Sequence, residues 1–324
     1  MSTYLITGVT GMIGGLVFEK LISSKEYILG NVKIIAIVRN ASKFNDIYWS
    51  VDLKNVIIVE QDICKPINID ENVDYIIHCA ATTESTYMIS NPVEVADGII
   101  IGTKNILDFA KSKKIKSMVY LSSMEVYGIV EDDNRKKEDE LGTIILTEAR
   151  SCYPLAKRMA EHYCNIYFKE YDVPVKVARL AQTFGKGVRI TDNRVYMQFA
   201  KAVVNNTDIV LKTDGKSVGN YCDSTDVMRA IFLLLNKGEN GEIYNVVNEN
   251  NTMSIYEMAQ LVVKNFTDSR IKVVVNPENR SITGYAPSTG LHLSSQKIQE
   301  LGWKPEKDII SMYEDIIEIL RKNS

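Results

Sequence analysis

The sequence predicts an α/β protein, a doubly wound parallel sheet with a smaller C-terminal α/β lobe. Three observations predict it. Apolar strand-like runs alternate with amphipathic helical segments through the first half of the chain. A glycine-rich turn joins the first run to the first helix. After about residue 180 the rhythm changes to shorter elements separated by Gly- and Asn-bearing loops such as "KTDGKSVGN" and "NVVNENNT".

Taken in order, the strand candidates are 3–7, 32–38, 56–60, 73–79, 116–122 and 174–180. Their near-continuous Val/Ile/Leu content is that of strands buried on both faces of a parallel sheet. Helical periodicity runs near 12–24, 94–113 and 148–171, and again near 226–236. The dinucleotide-binding part is expected over 1–180. A substrate-binding lobe is expected over 181–324, not an independent domain, because no Pro/Ser-rich linker divides the halves. The charged run "EDDNRKKEDE" at 131–140 reads as a solvated loop.

With 324 residues, 45% hydrophobic and 24% charged, the chain can bury a large core. A net charge of −3 gives no pull toward nucleic acid or anionic membrane. No apolar run reaches the roughly 18–20 residues that span a bilayer, and the N-terminus enters a strand directly, so a cytoplasmic location is expected. The five cysteines are scattered and read as reduced thiols; the three histidines are far apart, and no metal site is expected.

"LITGVTGMIGG" places Gly8, Gly11 and Gly14 at three-residue spacing between strand and helix. A helix N-terminus there offers unpaired N–H groups to a diphosphate, and glycines let the backbone come close to it. This is the pattern of a Rossmann dinucleotide site, with Met12 and Ile13 opening the helix beside the phosphates. The second strand ends Val38-Arg39-Asn40, where NAD-preferring sites place a carboxylate for the ribose 2′-hydroxyl. Arg39 and Lys43 could instead meet a 2′-phosphate, so NADP(H) is favoured and NAD(H) is the alternative.

"SCYPLAKRMAE" puts Tyr153 and Lys157 four residues apart, on one helix face. A phenol titrating near 10 is a poor base at neutral pH, and a nearby ammonium favours its phenolate. "SSMEVYG" ends the strand 116–122 in a serine pair; Ser123 can hydrogen-bond a substrate oxygen while Tyr153 moves a proton, and Ser122 is expected to serve the backbone.

With these motifs, and with "HCAA" at 78–81, "ARLAQTFG" at 178–185 and "LGWKPE" at 301–306, the chain resembles the extended short-chain dehydrogenase/reductase family, in its nucleotide-sugar epimerase/dehydratase branch. The resemblance covers almost the whole chain. It implies that Ser123 orients the substrate hydroxyl or ketone, that Tyr153 is the acid/base, and that Lys157 lowers the Tyr pKa and holds the nicotinamide ribose. It also implies Asn40, Asp62, Ile63, Ala80 and Ala81 around the dinucleotide, and Thr82, Met124, Glu125, Gln198 and Arg194 around the substrate. The helices near 94–113 and 148–171 are implied to form the bundle of a homodimer.

Departures from the family pattern narrow the reaction. The 4,6-dehydratases carry Asp-Glu before Val-Tyr-Gly; here stand Met124 and Glu125, and a thioether has no proton to deliver. Glu125 also occurs in UDP-glucuronate decarboxylases, but their arginine before "LGW" is missing from "YAPSTGLHLSSQKIQELGW", and Arg280 lies outside the expected place. Gly219 stands where the family has its diphosphate-gripping arginine, and Gln182 replaces an asparagine; Lys212, Lys216, Arg189 or Arg194 are candidates to restore the charge. The leading expectation is an NAD(P)-dependent nucleotide-sugar epimerase, with Glu125 a polar neighbour of the sugar or a second proton carrier. The alternative is an NADPH-dependent reductase of a keto nucleotide sugar or of a sugar phosphate, and a minor one is a catalytically idle NADP(H)-sensing protein.

Overall fold

The computed structural model describes residues 1–267, 270–277 and 290–323. Seven strands build the central sheet: β1 (Ser2–Thr7), β2 (Val32–Val38), β3 (Val56–Glu60), β4 (Tyr75–His78), β5 (Ser117–Ser123), β6 (Val175–Leu180) and β7 (Ile243–Val246). Their spatial order is β7-β6-β5-β4-β1-β2-β3, and β1–β2, β1–β4, β2–β3 and β4–β5 all pair parallel. This is the Rossmann order. The direction of strand addition reverses between β1 and β4, the crevice where such sheets bind ligands.

Six of the strands coincide with the expected runs to within two residues at either end. The seventh, β7, has only four residues and no strong pattern of its own; its place beside β6 comes from pairing.

The helices used below are α1 (Met12–Ile22), α2 (Ala41–Ile47), α3 (Pro92–Lys113), α4 (Cys152–Tyr171) and α5 (Ser224–Lys237). Pro92 opens α3 at a position where a missing N–H costs nothing. Successive strand residues point to opposite faces, so β1 serves two cores. Leu5 joins Ile35, Ile76, Met118 and Tyr120 under Ile99, Ile106 and Leu107 of α3 and Ala156, Ala160 and Cys164 of α4. Phe18 of α1 packs on Phe44 and Tyr48, at the end of α2, with ring centroids 5.5 and 4.7 Å apart.

Two compact units are present, and neither is a single stretch of chain. The first comprises Met1–Val126, Ile144–Arg179 and Met228–Tyr244; the second comprises Tyr127–Thr143, Leu180–Val227 and Asn245–Ser324. One of the changes from the first unit to the second falls at Arg179–Leu180. The charged loop region instead contributes to the second unit, where Tyr127 Oη donates to Asn245 Oδ1 at 2.9 Å. That unit contains a three-stranded sheet of Gln182–Phe184, Val218–Asp223 and Thr252–Ser254.

Among the described residues, no helix is long and apolar enough to cross a membrane.

Candidate active site

At the end of β1, Gly8 adopts φ +73°, and a Cβ there would lie 2.9 Å from Ala80 N and 3.0 Å from the Cys79 carbonyl carbon. A Cβ on Gly14 would overlap the Gly8 carbonyl oxygen. The turn therefore exists only with glycine at both places: one for its backbone angles, the other for the close crossing of helix over strand. Gly11 caps α1 without a side-chain bond, and no acid occupies the helix's first turn. Its leading N–H groups and positive dipole end are thus left for an anion.

The opposite wall is fixed by a buried polar chain that the sequence reading left unassigned. His78 Nδ1 lies 2.7 Å from Thr7 Oγ1, and His78 Nε2 lies 3.3 Å from Thr103 Oγ1. Ala80 N donates to Thr7 Oγ1 at 3.1 Å, which ties the end of β4 to the end of β1. Burial pulls the His78 pKa down to about 3, so the ring is a neutral strut between two hydroxyls. Ala80, Ala81 and Thr82 follow it, all half-buried.

Farther along the strand ends, Asp62 is exposed, and its carboxylate accepts from Cys64 N at 2.9 Å. The Ile63 side chain fills the space over Gly102, and its carbonyl accepts from Asn105 Nδ2 at 2.8 Å. Arg39, Asn40 and Lys43 are exposed. Asn40 proves to be the N-cap of α2, its side chain accepting from Lys43 N at 2.8 Å.

The glycine cradle, the uncapped start of α1 and the crevice at the strand-order reversal fit a dinucleotide. Gly8, Gly11, Met12, Ile13 and Gly14 would hold its diphosphate.

Ser123 ends β5, half-buried, and its Oγ accepts from Glu125 N at 3.2 Å as the chain turns into the short helix Met124–Tyr127. Ser122 does not serve the backbone as expected: it points into the core, where its hydroxyl finds no hydrogen-bond partner among the described residues. Met124 is buried. Tyr153 and Lys157 lie in the first two turns of α4, both buried, with the Lys157 Nζ 5.8 Å from the Tyr153 ring centroid. The ammonium is aimed by the Leu121 carbonyl, to which it donates at 2.6 Å. Burial draws the Lys157 pKa down to about 8, partly opposed by the negative charge of Glu161 one turn farther along.

Two more partners belong to this cluster. Arg150 Nη2 donates to Glu125 Oε1 at 2.9 Å, and its guanidinium lies 5.9 Å from the Tyr153 ring centroid. A basic residue three positions before Tyr153 was visible in the sequence, but nothing there connected it to Glu125. Glu161 holds Arg179 through three hydrogen bonds of 2.8–3.2 Å in a fully buried pair. Its spacing of four from Lys157 was the available signal.

The remaining candidates lie in the second unit. Gln182 is exposed. Gln198 donates to the Asn193 carbonyl at 2.7 Å. Arg194 lies along Asp192, with contacts of 2.6 and 3.0 Å to one carboxylate oxygen, so much of its charge is already answered. Gly219 is buried in the strand Val218–Asp223, and a Cβ on it would run into the hydroxyl of Tyr221 two residues on. Arg280 lies outside the described residues.

Comparison with known proteins agrees with this geometry. Residues 4–247 match the model of the NAD dependent epimerase/dehydratase family. A dTDP-D-glucose 4,6-dehydratase of Dictyostelium discoideum is 26% identical over 252 residues, 75% of this chain and 57% of that protein. UDP-glucuronic acid decarboxylase 1 of Danio rerio is 28% identical over 274 residues, 85% of this chain and 63% of its own length. The chain thus spans about three fifths of these two relatives. A UDP-glucuronic acid 4-epimerase from Bacillus cereus, solved with UDP-glucuronic acid and NAD, superposes with a TM-score of 0.81 at 19% identity, over 99% of this chain and 100% of that one. With a Rossmann sheet, a glycine cradle for a dinucleotide and a family match across three quarters of its length, the chain belongs to the NAD-dependent epimerase/dehydratase family of short-chain dehydrogenase/reductase enzymes.

Proposed function

We propose that the protein is a nucleotide-sugar epimerase-type enzyme that acts at a sugar carbinol through Ser123, Tyr153 and Lys157. The observation that carries this reading is the buried Lys157 ammonium beneath Tyr153, aimed by the Leu121 carbonyl at the end of the strand that ends in Ser123. A cation so placed favours the phenolate, and a phenolate can take the carbinol proton. When bound, the nicotinamide supplies the hydride acceptor and donor. Ser123 orients the sugar oxygen through the oxidised and reduced stages, and Tyr153 returns the proton after the keto sugar has turned over. The first 180 residues hold the dinucleotide in this reading, and the remainder binds the sugar portion through Gln182, Arg194 and Gln198, with Thr82 contributing from the first part.

The relatives named above include a dehydratase and a decarboxylase, and this chain's own residues weigh against both reactions. Met124 cannot protonate a leaving hydroxyl. Glu125 is already engaged by Arg150, whose Nη2 donates to its Oε1 at 2.9 Å. Incubation with UDP-, CDP-, GDP- and dTDP-sugars tests the proposal. Epimer formation with deuterium retained on the sugar is expected. Release of CO2 or a 6-deoxy-4-keto product would replace the proposal with one of the other reactions.

One observation favours a second reading, reduction of a keto sugar phosphate that carries no nucleotide. Position 219 carries no side chain, and a Cβ there would meet the Tyr221 hydroxyl, so this strand offers no diphosphate-gripping arginine. Stoichiometric consumption of reduced dinucleotide with a ketose phosphate would identify this activity. A cytoplasmic homodimer completes the proposal.

A further inference from the structure

The end of β2 carries no acid, yet a carboxylate stands beside it. In the parallel β2–β3 pair Val38 lies opposite Glu60, and Gln61 N donates to the Val38 carbonyl at 2.9 Å. Glu60 therefore ends its strand level with Val38-Arg39, the place from which a dinucleotide site normally presents its ribose carboxylate. The Glu60 side chain reaches across to α2, where Oε2 accepts from Ala41 N at 3.2 Å. With Asn40 accepting from Lys43 N, two donors at the start of α2 are already satisfied from within the chain.

We propose that Glu60 is the residue that sets dinucleotide preference, supplying from β3 the ribose-binding carboxylate that β2 lacks and thereby selecting NAD(H) over NADP(H). A carboxylate accepts strong, charge-assisted hydrogen bonds from a ribose hydroxyl. A 2′-phosphate in the same place would carry nearly two negative charges against Glu60, and would have to displace it from Ala41 N. Arg39 does not offset this alone. It is exposed at the end of β2, where a planar guanidinium can stack on the adenine face rather than meet a phosphate. This reverses the preference for NADP(H) expected from Arg39 and Lys43. It rests on the dinucleotide site of the reading above but not on the reaction proposed there.

The test is direct binding of NAD+ and NADP+ to the full chain, stripped of any dinucleotide that copurifies, by calorimetry. It compares wild type with Glu60→Gln and Arg39→Ala. The wild type is expected to bind NAD+ at least about tenfold more tightly, the scale of one charged hydrogen bond. Glu60→Gln, at an exposed position, should keep its thermal midpoint without ligand and narrow that ratio about tenfold, mainly through tighter NADP+. Arg39→Ala should weaken both dinucleotides alike. A wild type that prefers NADP+, a ratio untouched by Glu60→Gln, or an Arg39→Ala loss confined to NADP+ would each overturn the assignment. Selective NAD+ binding without turnover of any sugar would leave it standing and remove only the proposed reaction.

Discussion

At the scale of single residues, Lys157 carries the sharpest pH signature. Burial lowers its pKa from 10.5 to about 8. Between those values the unfolded chain binds a proton that the folded chain does not, so folding stability rises with pH across that window and the increment is absent below pH 8. The size is about 3 kcal/mol by the top of the window. Urea unfolding at about pH 7.5 and about pH 10 should show this rise in the wild type and a smaller one in Lys157→Met. Lys176, held near 8 by the same cause, contributes equally to both proteins. Activity should move the opposite way and fall as pH passes about 8, because the neutral amine no longer favours the Tyr153 phenolate. Tyr153 and Lys157 were legible as a spaced pair. The aim of the ammonium at Leu121 was not, because a backbone carbonyl leaves no mark on residue type.

At the scale of elements, the buried Glu161–Arg179 pair ties α4 to β6 with both side chains out of water. Removing one partner strands a buried charge. Glu161→Ala should cost about 3–5 kcal/mol, whereas Glu161→Leu with Arg179→Met should recover most of that loss. Thermal and urea unfolding of the single and double variants check this. If the single change costs under about 1 kcal/mol, Glu161 is not what holds Arg179 in the interior. The long helices were legible from their 3.6-residue period. Short segments such as α2 and β7 escaped, because a few residues carry no measurable period and take their form from the neighbours that satisfy their backbones. Asn40 shows the same limit: expected as a dinucleotide contact, it is first of all a helix cap.

At the scale of the whole molecule, the proposed homodimer predicts sedimentation at twice the 36.5 kDa chain mass. Its helices α3 and α4 pack together on one face, yet Val93, Ile101 and Met159 on them remain exposed, at 72%, 38% and 38%. Covering such side chains is what a helix-bundle interface does. Ile101→Asp with Met159→Asp should give a folded species of single-chain mass; an unchanged mass would place the interface elsewhere.

What the sequence determined by itself was local and repetitive: the alternation of buried strands and amphipathic helices, the three glycines between the first pair, and the one-turn spacing of Tyr153 and Lys157. Each depends on neighbours along the chain, so each can be read from it. Tertiary structure decided what depends on residues far apart in sequence. It brought Glu60 beside the end of β2, joined Arg150 to Glu125, and set His78 between Thr7 and Thr103. The physical reason is common to all three: a charge or a hydroxyl acts through distance in space, and sequence spacing records that distance only within one helix or strand.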